Sequence, residues 1–572
     1  MIKQHRSFIG VFSYSLVIFI TICAPVQAQL PYVPRPSQET LEPQELKKDT
    51  PKPELILPKI ETIDKRPISD EIKVDVTKFE FLGNTVVSDK ELAQFTKKYE
   101  DSENKITAVQ LEAIRKNITN YYIKNGFINS GAVIPDQRIT GGVIKILLVE
   151  GKLTNIDVAG NIHLKDSYIV NRVRLGAPDV LNVNELQQSL MQLQQDPLVS
   201  RLNAVIMPGT RPGDAKLDIE IDEAPPIYMI AGIDNYRSPS IGSEQLYLNG
   251  SHRNLTGNGD ELAGFIGVTE GLREVDVVYD YPISAKDTKL QTRVLYSQSE
   301  VIEEQFEVLE IESESTTVAL GIIHPLIRNI KDTRTSYKLS IGARLALRES
   351  QTFLLGSGFS FTPGVEDGKS KITVLRLPVE WIQRSQYRVV AARLIPSIGL
   401  DLFGATMTGV EPDGEFITLL GQFQWLERPW EKDIQLIFRF DAQYSDDPLF
   451  SMEKFVVGGV ATVRGYRETS VVKDNGLTTS LEVRYPLISS EVRSTAMHLA
   501  AFIDYGRAWD DGEKYSASQE LFSAGLGLRG RPTFNFRYEL YWAEQLKDFN
   551  VVYPESNLQD DGIHFSISYN FY

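Results

Sequence analysis

From about residue 225 to the end of the 572-residue chain, apolar and polar residues alternate one for one, and this pattern limits the fold more than any other feature. In "DIQLIFRFDAQYS" the residues Ile434, Leu436, Phe438, Phe440, Ala442 and Tyr444 alternate with Gln435, Arg439, Asp441 and Gln443. In "FNFRYELYWAE" Phe534, Phe536, Tyr538, Leu540 and Trp542 alternate with Asn535, Arg537, Glu539 and Tyr541. Successive side chains of a strand point to opposite faces, so each segment carries one apolar, aromatic-rich face and one wetter face. A soluble sandwich shares the alternation, but so many successive strands of this kind suit a closed barrel with lipid outside and water inside. Counting from Ile227 gives about sixteen such segments, ending with "GIHFSISYNFY". A barrel closes by pairing its first strand with its last, so an even number fits, and a barrel of this size encloses an aqueous pore. Such a pore has to be blocked at rest.

The N-terminus supports a membrane destination. Lys3, His5 and Arg6 precede an apolar run over 8–23, and Val26-Gln27-Ala28 forms a small-residue cleavage site. This predicts a secretory signal peptide over 1–28, cut after Ala28. The only cysteine, Cys23, lies within it, so the mature protein carries no thiol and no disulfide. Removing Lys3 and Arg6 leaves 60 − 2 = 58 basic residues against 76 acidic ones, a net charge of −18. That balance argues against nucleic acid as a partner. No later apolar run reaches the roughly 18 residues a membrane helix needs.

Residues 29–72 are rich in proline (Pro31, Pro34, Pro36, Pro43, Pro51, Pro53, Pro58, Pro67) and read as an extended linker with at most a short helix over 38–48. Residues 73–224 are one unit written twice. "FEFLGNTVVSDKEL" from Phe79 is echoed by "IDVAGNIHLKDSYI" from Ile156, a strand ending in Gly83-Asn84 or Gly160-Asn161 before a helix. Ser88 with Glu91 and Thr107 with Gln110 have capping-box spacing, Asn182 with Glu185 is a looser version, and Asn125-Gly126 is a helix stop. Leu186, Leu190 and Leu193 recur at helical spacing. Each copy closes with two strands, joined at Gly141-Gly142 and around Pro212-Gly213. The order strand, helix, helix, strand, strand predicts two small α+β domains, 73–152 and 153–224. Tandem architecture needs no binding role, but a small sheet with a free edge beside a helix groove can accept an extended peptide as an added strand.

Between the eleventh and twelfth predicted strands, the connection 446–475 is far longer than an ordinary hairpin loop and shows no period of its own, which marks it as functional or disordered. It contains "GGVATVRGY". One strand later, "AAFIDYGRAW" puts Phe502, Asp504 and Gly506 on one face and Ala501, Ile503 and Tyr505 on the other. The apolar face belongs to lipid, so Asp504 points into the lumen, where a carboxylate needs a partner.

"GGVATVRGY" followed by "FIDYG" resembles the paired signature of the outer-membrane transporters of two-partner secretion, the haemolysin and filamentous-haemagglutinin secretion type. "YYIKNGFINSGAVIPDQRITGGVIKILLVEGKL" (121–153) is similar to the end of that family's first polypeptide-transport-associated (POTRA) domain. The resemblance spans the whole mature chain, barrel included. It implies that the long sixth extracellular loop folds back into the barrel, where Arg464 pairs with Asp504 of the wall motif. An arginine fork can grip a carboxylate through two hydrogen bonds. Gly465 would allow a sharp turn, Tyr466 would pack on the inner wall, and Phe502 and Gly506 complete the anchoring set. It further implies POTRA domains in the periplasm, a barrel in outer-membrane lipid, and as partner a large secreted adhesin or haemolysin with its own N-terminal secretion domain. One departure is the C-terminus: Phe565, Ile567, Tyr569 and Phe571 share a face, so Tyr572 falls on the other. The family's N-terminal plug helix has little room in 29–72.

Nothing suggests chemistry. The histidines (His5, His163, His252, His324, His498, His564) show no metal-ligand spacing, "LTGNGDELAG" (255–264) reads as a hairpin turn, and no Gly-x-Ser-x-Gly elbow occurs. No catalytic residue, metal, cofactor or small-molecule substrate is expected. Two other classes share some features: an outer-membrane protein assembly insertase, which usually carries more repeats, and a passive solute pore, which needs neither repeat nor loop anchor.

Overall fold

The computed structural model describes residues 41, 54–57, 73–100, 105–177, 179–330, 335–429, 434–490, 495–510, 518–533, 535–549 and 556–571. The predicted signal peptide, most of the 29–72 linker with its expected helix or plug, Phe534 and Tyr572 lie outside them.

The alternating region forms a closed antiparallel barrel of sixteen strands. They are β1 (Ile227–Asp234), β2 (Gln245–His252), β3 (Glu261–Val268), β4 (Leu272–Pro282), β5 (Lys289–Glu300), β6 (Glu312–Ile330) and β7 (Ser336–Leu354). β8 runs as Lys369–Arg376 and Val379–Arg384, both halves pairing with β7 and with β9 (Arg388–Leu400). Pro378 sits at its break, where a residue without an N–H interrupts the ladder. β10 (Ile417–Glu427), β11 (Gln435–Ser445), β12 (Asn475–Ser490), β13 (Thr495–Trp509), β14 (Gln519–Arg531), β15 (Phe536–Gln545) and β16 (Ile563–Asn570) complete the wall. Closure is the pairing of β1 with β16, from Ile230 against Asn570 to Asp234 against Ser566.

The barrel is inside out relative to a water-soluble protein. On β4 Val275 and Val277 are exposed while Glu274 and Asp276 are buried; on β12 Leu481 and Val483 are exposed while Ser480 and Glu482 are buried. Apolar side chains on the outside and carboxylates within are stable only where the outer solvent is hydrocarbon. Among the described residues no helix is long and apolar enough to cross a membrane; this chain crosses with strands.

The first α+β unit has a three-stranded sheet in the order Lys78–Leu82, Val143–Val149, Gly131–Val133, packed on helices that include Asp89–Ala93 and Ala108–Lys124. Both capping boxes form, Ser88 with Glu91 and Thr107 with Gln110. The second unit repeats the order with Lys152–Ala159, helices Asp166–Arg174 and Val183–Gln194, then Val199–Pro208 and Asp214–Glu223. Leu186, Leu190 and Leu193 are buried in its core. Asn182 does cap its helix, but it accepts from the Asn184 N–H.

A repeated carboxylate locks each unit. In the first, the turn after Gly83-Asn84 donates the Thr85 and Val86 N–H groups to Glu150 at 2.8 and 3.1 Å. In the second, the turn after Gly160-Asn161 donates the Ile162, His163 and Leu164 N–H groups to Glu223 at 2.7–2.9 Å. Asn84 and Asn161 brace the two turns identically, each donating to a backbone carbonyl three residues on and to Asp89 or Asp166. The repeat is therefore one of hydrogen bonding as well as element order.

The second sheet has a fourth strand, which corrects the expectation of two three-stranded sheets and of an extended linker with at most a short helix. Glu54–Ile56 pairs in parallel with Val199–Pro208, Leu55 opposite Ala204. Strand Glu-Leu-Ile is too short to show a period amid prolines, and an unpaired sheet edge recruits it. The second unit also docks on the barrel. The Lys165 N–H donates to the Gly257 carbonyl at 3.0 Å, Tyr168 covers Gly259, and Arg172 pairs with Asp287 at 2.6 Å. The stretch 255–264 is thus a hairpin turn that also serves as a dock.

Burial pushes the Glu223 carboxyl up, but the three N–H groups and His163 outweigh it and hold it below its ordinary 4.5. A depressed carboxylate stabilises the fold fully above its ordinary pKa and loses that contribution as pH falls through the lowered value. Glu223→Gln should therefore destabilise the second unit by about 2 kcal/mol at neutral pH. The parent's protease resistance over 152–224 should drop below about pH 4.5 with a steeper dependence than the variant's, as read by limited proteolysis of the full-length protein.

Candidate functional site

The connection between β11 and β12, residues 446–474, does not lie outside the barrel; its central residues are buried in the lumen. It carries a small hairpin, Phe455–Val457 paired with Val471–Lys473. Strands of three residues leave no readable period, so the sequence shows only a gap there.

Arg464 is 2% exposed and among the largest buried side chains. Its Nε donates to Asp504 Oδ2 at 2.7 Å and its Nη2 to Asp504 Oδ1 at 2.9 Å, a two-point grip on the β13 carboxylate. Its backbone N–H also reaches Asp504 Oδ2 at 3.1 Å. Nη1 donates to Glu482 Oε2, and Nη2 to Ser480 Oγ at 3.1 Å, both on β12. The cross-strand register places Ser480 opposite Asp504 and Glu482 opposite Phe502, so the four groups form one lumen-facing patch. The guanidinium carbon lies 3.4 Å from the centre of the Phe502 ring, adding a cation–π contact.

The neighbouring predicted residues converge on the same place. Gly465 has φ +90°, and a Cβ there would lie 2.9 Å from the Ala543 Cβ on β15. Tyr466 is buried with Val457, Val463, Val471 and Leu521, and its hydroxyl donates to the Lys547 carbonyl at 2.6 Å. Gly506 allows the loop to touch the wall, since a Cβ there would meet Val457 Cγ1 at 2.4 Å.

Sequence reasoning paired Arg464 with one carboxylate and missed the rest. Glu482 was findable: it sits one strand before Asp504 at an inward position of "TSLEVRY". His564, which has no metal-ligand spacing, accepts from the Gly465 N–H at 3.2 Å. Arg467 grips Asp560 through two bonds at 2.6 and 2.7 Å, and Lys473 holds Asp510 at 2.6 Å. These partners lie on elements remote in sequence, and no local spacing brings them together. Among the described residues no cluster suits a metal ion.

A lipid-facing barrel whose lumen is filled by its own loop, with two α+β units before the first strand, defines an outer-membrane transporter of the POTRA type. Comparison with known proteins agrees. Residues 213–530 match the family described as haemolysin secretion/activation protein ShlB/FhaC/HecB, and residues 74–151 match the POTRA domain, ShlB-type. The chain belongs to this family, the outer-membrane protein exporters of two-partner secretion, with its POTRA domains in the periplasm. It is 23% identical over 77% of its length, and 78% of the relative's, to the heme/hemopexin transporter protein HuxB of Haemophilus influenzae. It is 25% identical over 73% of its length, and 70% of the relative's, to the outer membrane transporter CdiB of Escherichia coli. The solved structure of CdiB from Escherichia coli shares the fold, with a TM-score of 0.64 and 20% identity over 89% of this chain and 93% of that one.

Asp504→Ala removes the main partner of a buried cation, a loss of about 3–5 kcal/mol for the docked loop. External protease should then cut 446–474 in intact cells, where the parent resists. Gly506→Val should act alike by displacing Val457 and Val463, although it changes no charge.

Proposed function

We propose that this transporter exports one large secreted protein of the adhesin or haemolysin type, and that the pairing of Arg464 with Asp504 and Glu482 keeps the pore closed until that client arrives. The observation that carries the reading is the loop 446–474 itself: a buried, ion-paired segment occupies the lumen of a barrel whose sixteen strands would otherwise enclose an aqueous channel. The client's N-terminal secretion domain arrives unfolded in the periplasm and adds as a strand to an open sheet edge. In the first POTRA domain, Lys78–Leu82 and Gly131–Val133 each pair on one side only, with Val143–Val149, among the described residues. In the second, part of the Val199–Pro208 edge is already taken by Glu54–Ile56, which favours the first domain as the entry surface.

The anchored loop then gives way and the chain threads through the barrel. The transporter performs no chemical step and uses no cofactor, nucleic acid or small-molecule substrate; lipid is its surroundings, and folding of the client outside the cell supplies the drive. Two POTRA domains favour export over barrel assembly, since an insertase handles many substrates through more repeats. Deleting residues 73–224 should abolish export of the client while a heat-modifiable barrel remains in the outer membrane. Normal export after that deletion would exclude the POTRA domains as the client's receptor.

A further inference from the structure

The same loop is gripped a second time, on another part of the wall and by charges of the opposite sense. Glu453, on the limb of the loop that leaves β11, has a side chain only 5% exposed. Its Oε1 accepts from Arg348 on β7 at 2.5 Å and from Arg376 on β8 at 2.9 Å. Its Oε2 accepts from both terminal nitrogens of Arg376, at 3.0 and 3.1 Å. Arg348 also donates to the Met452 carbonyl, and Gln443 on β11 donates to the Glu453 carbonyl at 2.9 Å. These residues line a pocket of about 90 Å³ whose wall also carries Arg344, Asp441 and Arg293, the last paired with Asp276. Arg344 stands directly opposite Arg376 in the β7–β8 ladder.

Wall cations crowded on adjacent strands repel one another, and a buried carboxylate with most of its lone pairs filled offsets that repulsion. The loop therefore presents an acid to the basic β7–β8 wall and a base to the acidic β12–β13 wall.

We propose that Glu453 is a further latch, gripping Arg348 and Arg376 independently of Arg464, so that opening requires this grip to break as well as that of Arg464. The proposal rests on reading 446–474 as the closing element, but it needs no client to test. The full-length protein, purified and inserted into planar bilayers, is compared with Glu453→Gln, Arg376→Gln, Asp504→Asn and the Glu453→Gln/Asp504→Asn double variant; heat-modifiability on gels checks that each barrel is folded.

Loss of charge-assisted bonds should raise the open probability of Glu453→Gln about tenfold or more, with Asp504 still in place. Its open state should prefer anions, because Arg348 and Arg376 then face the pore without the negative charge of Glu453. Arg376→Gln should also open more often, but with a smaller anion preference than Glu453→Gln, a difference that general loosening of the barrel would not produce. The double variant should be open more of the time than either single variant. Glu453→Gln channels as closed as the parent while Asp504→Asn channels open would overturn the proposal, as would identical ion preference in Glu453→Gln and Arg376→Gln. Since conductance is read without a client, either result leaves the export reading to be judged by the POTRA deletion.

Discussion

A single buried cation organises this molecule. Arg464 is almost wholly buried in the lumen, where an unpaired guanidinium would be very costly. Two strands, β12 and β13, supply Glu482 and Asp504 in adjacent registers to meet it. The barrel wall must therefore be complete and in register before the loop can dock. The docked loop in turn fills the space that sixteen strands enclose.

The arrangement is stable without being rigid. Ion pairs in a dry site are expensive to form, so they add less net stability than their geometry suggests, yet breaking one partner alone is severe. That asymmetry makes the docked position specific, because the loss of any one partner strands a buried charge. The apolar cluster of Val457, Val463, Tyr466, Val471 and Leu521 holds the hairpin's shape while the charges set its position.

Below the membrane, the second POTRA domain is tied to both neighbours. The Leu181 and Val183 N–H groups donate to the Gly151 and Gly126 carbonyls of the first domain's end, and Arg172 and Lys165 reach the barrel turns. At the barrel rim Asp287 also receives Arg328 of β6.

The period-two pattern determined the barrel, its strand number and the lipid face, because in a strand the face of each residue follows from its position alone. The turn signals determined the tandem α+β order; position alone put Arg464 in an overlong gap and Asp504 at an inward strand site, and only the family resemblance paired them. The tertiary structure alone decided the rest. Glu453 meets Arg348 and Arg376, Arg467 meets Asp560, and Glu54–Ile56 finds the Val199–Pro208 edge, all across long stretches of chain. Such contacts depend on barrel closure and on which edge remains unpaired, properties of the closed object that no local window of residues contains.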